Sequence, residues 1–196
     1  MLKIDGISLS YGTRLVLNNL SVETKDEEIV GVVGPNGCGK TSLIRVIAGV
    51  ARPQKGKVFI NGKSLDNMGN RKRAQTMAVV PQNAVLPPAF SALDIVIMAR
   101  TPYLKFLTWE RKTDIEMARN AMLFTGTWQF ADQPIGKLSG GERQLVLIAR
   151  AMTQDAPMLL FVEPTSNLDI SHQTKIMDLI SKIQMEKRGL LLLALH

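Results

Sequence analysis

Apolar residues at the start of the chain fall on every second position. Leu2, Ile4, Ile7 and Leu9 alternate with polar neighbours from Leu2 to Ser10, interrupted at Asp5-Gly6, and a second alternating stretch runs from Leu15 to Val22. A period of two marks half-buried strands, so the chain is expected to open with antiparallel β-structure. The pattern then changes. Ile29 to Val33 is a continuous apolar run, as in a buried strand, after which Leu43, Ile44, Val46 and Ile47 recur at helical spacing, with Gly49 placed to end the helix. Gly56 to Gly62 predicts another strand closed by an Asn61-Gly62 turn, and Met77 to Val80 predicts a short one broken by Pro81.

Helical spacing dominates from Ala84 to about Gln154. Ser91 can cap a helix holding Leu93, Ile95, Val96, Ile97 and Met98, and Thr108 to Phe124 and Glu142 to Met152 are further helical patterns. Trp109 and Trp128 lie here and are expected to pack rather than to bind. Strand character returns at Pro157 to Val162. Ser171 to Lys187 then places Ile176, Leu179, Ile180 and Ile183 on one helical face, with Gly189 as its stop, and Leu190 to Leu195 predicts a last buried strand. The expected organisation is one α/β domain over residues 1–196, with an N-terminal antiparallel β subdomain. Residues 1–83 and 156–196 form its α/β core, and residues 84–155 an inserted α-helical lobe.

Composition changes this picture little. The 196 residues suffice for one substantial core, and no apolar run reaches the roughly 18 to 20 residues of a membrane-spanning helix, so a cytoplasmic protein is expected. Cys38 is the single cysteine and cannot form an internal disulfide. The net charge of +7 suits nucleotide phosphates, anionic headgroups and nucleic acid equally well.

The candidate chemistry begins at Gly34, Pro35, Asn36, Gly37, Cys38, Gly39, Lys40 and Thr41. This spacing is that of a phosphate loop, and it lies between a predicted buried strand and a predicted helix. At a helix N-terminus, free backbone N–H groups and the helix dipole attract phosphate, Lys40 can reach the β- and γ-phosphates, and the Thr41 hydroxyl can ligate Mg²⁺. A second such start lies at Gly136 to Gln144, where Ser139, Gly140 and Gly141 open a helix before Glu142. Ser139 is also a plain N-cap, which leaves the two glycines unexplained. Gln82 follows the strand ending at Val80, and Glu163 ends the apolar run at Val162, where a base for an attacking water is expected. Tyr11, by itself, reads as strand-end packing.

Together these stretches resemble the nucleotide-binding subunit of ATP-binding cassette (ABC) transporters over essentially the whole chain. The resemblance implies the P-loop ABC ATPase fold. It makes Gly34 to Thr41, with Ser42, the Walker A loop, Gln82 the Q-loop glutamine, Leu138 to Gln144 the signature, Met158 to Glu163 Walker B, Ser166 to Asp169 the D-loop and His196 the switch histidine. It implies ATP and Mg²⁺, with Tyr11 stacking on adenine, Thr41 and Gln82 near the metal, Glu163 as base, and His196 and Gln82 assisting. Ser139, Gly140, Gly141, Glu142 and Asp169 would meet the nucleotide across a head-to-tail homodimer. It further implies transmembrane permease subunits docked near Ala84 to Tyr103, a place on the inner face of the cell membrane, and no nucleic-acid partner. The stretches Val79 to Asn83, Phe90 to Val96 and Arg100 to Tyr103 resemble importers of iron-siderophore complexes, haem or cobalamin.

Two departures from the family pattern stand out. Val162 occupies the place of the Walker B aspartate, which is expected to weaken Mg²⁺ binding and slow hydrolysis. The sequence stops at His196, short of the usual C-terminal elements. A cassette ATPase acting on nucleic acid and a catalytically weak regulatory subunit are the competing readings; the first usually carries a coiled coil or a second cassette, absent from this sequence.

Overall fold

The computed structural model describes residues 1–105, 108–166, 168–187 and 189–195. Two four-stranded sheets form its frame. The first is antiparallel, in the order β2-β1-β4-β5, with β1 at Leu2–Tyr11, β2 at Arg14–Glu23, β4 at Lys55–Ile60 and β5 at Lys63–Ser64. The alternation expected in β1 is present, and its interruption is a register shift between Ile4 and Ile7, with Gly6 at φ +59°. Asn61 and Gly62, both at positive φ, turn β4 into β5.

The second sheet is parallel, in the order β3-β8-β7-β6, with β3 at Ile29–Val33, β6 at Met77–Val80, β7 at Met158–Val162 and β8 at Leu190–Leu195. Its two faces feed two cores. Leu159 and Phe161 of β7 pack with the helical residues Ile95, Met122, Ile148 and Ile180, whereas Met158, Leu160 and Val162 face the antiparallel sheet and Leu43, Ile44, Val46 and Ile47. Continuous apolar runs such as that of β7 are what a sheet covered on both faces requires.

Six α-helices complete the described chain: α1 at Lys40–Ile47, α2 at Asn70–Thr76, α3 at Ala92–Ile97, α4 at Lys112–Phe124, α5 at Gly140–Thr153 and α6 at Ile170–Lys187. Ser91 caps α3 as expected, in a reciprocal box with Asp94. Helix α4 begins at Lys112 rather than Thr108, because Asp114 accepts the Arg111 amide at 3.0 Å and fixes the first turn there. Trp109 therefore falls ahead of the helix and is 88% exposed, which corrects its expected packing role; Trp128 does pack on the core. Gly189 does not close α6 through a left-handed residue. A Cβ there would lie 2.6 Å from the Pro157 carbonyl, so glycine is needed for close approach.

Helix α2 escapes a reading by apolar period because Asn70–Thr76 carries almost no apolar residue. It matters as a clamp. Arg71 donates to the carbonyls of Pro102 and Leu104, and Gln75 to that of Pro102, tying α2 to the 3₁₀ segment Met98–Tyr103. The buried Arg100–Asp114 pair, at 2.8 Å, holds the same segment to α4, and Arg100 also donates to the Thr153 carbonyl at the end of α5.

Candidate functional site

The parallel strands deliver the candidate residues to one edge. Beyond the C-terminal end of β3 comes the loop 34–39, beyond β6 comes Gln82, and beyond β7 comes Glu163. This is where open α/β sheets place ligands, since loops there can differ without disturbing the core.

Gly34 to Thr41 wraps from β3 into α1. Gly39 stands at φ +105°, and a Cβ on it would meet Val16 Cγ1 and the Val16 carbonyl oxygen at 3.0 Å, so both backbone and β2 demand glycine. No side chain caps α1, which leaves its first amides available to an anion. Lys40 is buried and donates to the carbonyls of Gly34 at 2.6 Å and Pro35 at 3.0 Å, holding its ammonium within the loop. The loop, Tyr11, Arg14 and Glu163 line one cleft of about 300 Å³. Tyr11 is half-exposed at the end of β1, as a ring available for stacking must be.

Arg14 is a residue that sequence reasoning missed. It pairs with Tyr11 across the β1–β2 ladder, and its Nη2 donates to the Gly37 carbonyl at 3.2 Å, bracing the phosphate loop from outside. A basic residue directly after the Gly12-Thr13 turn, opposite Tyr11, is the signal that could have identified it.

Gln82 and Glu163 meet directly: Gln82 Nε2 donates to Glu163 Oε2 at 2.7 Å. Glu163 has φ +46°, a left-handed backbone unusual for a non-glycine residue. The strain is held by three bonds. The Glu163 amide donates to the Ala194 carbonyl at 3.0 Å, and the Glu163 carbonyl accepts from the Ser166 amide and hydroxyl. Gln82 also borders a smaller cleft shared with Gly140, Gln144 and Ser166, so three of the candidate stretches converge on it.

Val162 lies one residue before Glu163 on the α1 side of the sheet. It is buried and, with Thr41 and Gln82, lines a cleft of about 510 Å³. An oxygen ligand at position 162 would share this space with the Thr41 hydroxyl; an isopropyl group offers none. Among the described residues no cluster of three His, Cys, Asp or Glu side chains could hold a metal. The loop and its amides fit a nucleotide. For Mg²⁺, which is usually bound by one or two carboxylates together with substrate phosphates, the set fits incompletely: Thr41 and Gln82 supply oxygens and Glu163 brings a carboxylate to the cleft, but position 162 adds none.

Ser139 to Glu142 do not line the cleft of the phosphate loop. Ser139 caps α5 in a reciprocal box: its hydroxyl accepts from the Glu142 amide at 3.3 Å, and Glu142 Oε2 accepts from the Ser139 amide at 2.8 Å. That bond from the Ser139 amide is the main reason the Glu142 carboxyl is held below its usual value. The amides of Gly140 and Gly141, in the first helical turn, remain without intrahelical carbonyls. Asp169 caps α6 in turn. It accepts the His172 amide at 2.9 Å and lies 2.8 Å from His172 Nδ1, and these bonds, the amide first, hold the Asp169 carboxyl low. Asn167 and His196, expected in the D-loop and as the switch histidine, lie outside the described residues.

Comparison with known proteins agrees with this geometry. The family model described as "ABC transporter" matches residues 17–166. The chain is 35% identical over 195 residues to the ferric enterobactin transport ATP-binding protein of Escherichia coli (strain K12), covering 100% of this chain and 72% of that protein. It is 41% identical over 180 residues to the hemin import ATP-binding protein of Gloeobacter violaceus, covering 88% and 65%. Among solved structures, a dimeric ATP-binding cassette in a post-hydrolysis state with ADP and phosphate superimposes with a TM-score of 0.85 at 26% identity, covering 100% of this chain and 88% of that one. Two sheets, a glycine loop at the head of α1 and a helical region carrying a second capped helix start thus make up the ABC ATPase fold, and the chain belongs to the ABC transporter family as one of its ATP-binding, ATP-hydrolysing subunits.

Proposed function

We propose that this chain energises a membrane importer of iron-siderophore, haem or cobalamin type through ATP-driven, head-to-tail association of two copies. The observation that carries the dimer is the separation of two phosphate-type sites. Gly37 and Gly39 to Ser42 share one cleft with Tyr11, while the first-turn amides of Gly140 and Gly141 lie outside it, which favours nucleotide held by a second copy. The named functions of the enterobactin and hemin relatives support the importer class. No helix among the described residues is long and apolar enough to cross a membrane, in keeping with a subunit that reaches its permease from the cytoplasmic side.

In this reading Tyr11 stacks on adenine, Lys40 and the α1 amides hold the phosphates, and Thr41 and Gln82 face Mg²⁺. Glu163 takes the proton of the attacking water, oriented by Gln82, and His196 assists as the family pattern implies. Bound Mg²⁺ would neutralise phosphate charge. Val162 weakens that metal site and makes hydrolysis slow, because the buried wall beside Thr41 is apolar. Valine leaves the fold intact, as its packing with Leu160 and Ile44 in the core indicates.

The test is ATP turnover with and without the cognate permease in vesicles. Turnover stimulated by the permease supports the importer reading. Turnover stimulated instead by DNA or RNA favours a nucleic-acid ATPase, and tight binding without turnover in either setting favours a regulatory subunit.

A further inference from the structure

We propose that His172 is a positioning residue that links the signature turn at Gly140-Gly141 to Leu168 and Asp169 within one chain. The inference rests on the dimer reading above, because both segments act on nucleotide only across a dimer. Its basis is geometric. Helices α5 and α6 begin side by side: a Cβ on Gly140 would lie 3.7 Å from Leu168, and a Cβ on Gly141 would lie 2.3 Å from His172 Cδ2 and 2.8 Å from Nε2. A side chain at 141 would have to displace the imidazole from this place. The second glycine of the signature thus also makes room for His172 inside this chain, apart from any approach of phosphate.

The other edge of the ring is equally constrained. His172 Nδ1 lies 2.8 Å from one Asp169 carboxylate oxygen and 3.0 Å from the other, while the His172 amide donates to the same carboxylate. An ionised carboxylate only accepts, so the proton of the pair sits on Nδ1 and the Nε2 edge faces Gly141. The charged groups about the ring are Asp169 on its own loop and Glu142 on α5. Both are capping acids already committed to helix N-termini, so the imidazole joins two capped turns as a rigid spacer. When phosphate draws on the Gly140 and Gly141 amides, Leu168 and Asp169 move with them through His172.

The experiment measures ATP-dependent dimerisation by sedimentation in a Glu163→Gln background, which retains nucleotide, alongside ATP binding to the monomer. His172→Ala is expected to weaken the ATP-bound dimer about tenfold, a coupling of ordinary allosteric size, and to leave monomer affinity within about twofold. His172→Asn keeps a donor beside Asp169 but not the ring edge over Gly141. It should restore thermal stability without restoring dimerisation, which a purely structural cap would not do. Gly141→Ala should destabilise the chain far less when His172 is also alanine. A His172→Ala dimer as tight as its parent overturns the inference, as does equal destabilisation by Gly141→Ala in both backgrounds. A parent that binds ATP yet stays monomeric contradicts the dimer reading and this inference with it.

Discussion

Gln82 reaches across 81 positions of sequence to donate its Nε2 proton to Glu163 Oε2 at 2.7 Å. Glu163 also carries a left-handed backbone fixed by Ala194 and Ser166, so its main chain as well as its carboxylate is held in place. On the proposed roles, removing the base should cost more than removing its orienting partner. Glu163→Gln is expected to lower kcat by roughly 10²- to 10⁴-fold, the usual worth of a general base, and Gln82→Ala by about tenfold. Both should bind ATP within a few-fold of the parent, as isothermal titration would show.

Arg14 makes a different prediction, because it is tied to the phosphate loop through a hydrogen bond to the Gly37 carbonyl. An exposed charge-assisted bond of this kind contributes modestly, so Arg14→Ala should raise the ATP dissociation constant about three- to tenfold with little change in kcat. An effect on kcat alone would show that the arginine acts elsewhere.

The Arg100–Asp114 pair contributes to the pH dependence of the helical region. Burial pushes the Asp114 carboxyl up, but bonds from the Arg111 amide and the Arg100 guanidinium outweigh it and hold the group below its usual value. A carboxyl lowered by folding stabilises the native state above its unfolded pKa of about 4 and loses that contribution as the pH falls through the folded value. Denaturant titrations between pH 7 and pH 3 should therefore show a loss of stability on the acid side that Asp114→Asn flattens. At neutral pH Asp114→Asn should cost about 3 kcal/mol, because it leaves Arg100 buried without its counter-charge.

Much of this site was legible in the sequence. The phosphate loop, Gln82, Glu163 and the signature turn each follow a strand or open a helix whose apolar pattern is strong, and β3, β6 and β8 fall on the expected residues. What escaped reading depends on tertiary geometry. Helix α2 has no apolar period because it holds the lobe through Arg71 and Gln75 rather than through a buried face. Trp109 looked like a packing residue by type, yet the Asp114 cap starts α4 after it and leaves it in solvent. Arg14 and His172 carry no motif of their own. Their roles come from a cross-strand partner and from a neighbouring helix start, which only the fold brings near.

The account turns on Val162, the buried apolar residue where the family places an acidic one. Mg²⁺-dependent ATP hydrolysis should be measured for the parent chain beside Val162→Asp and Glu163→Gln, with nucleotide binding on the same samples. All three are predicted to bind ATP, Val162→Asp to turn it over about ten- to a hundredfold faster than the parent, and Glu163→Gln to turn it over at least about a hundredfold more slowly than the parent. A parent as fast as Val162→Asp would contradict the account, and would mean that Thr41, Gln82, phosphate oxygens and water hold the metal well enough without a carboxylate at position 162.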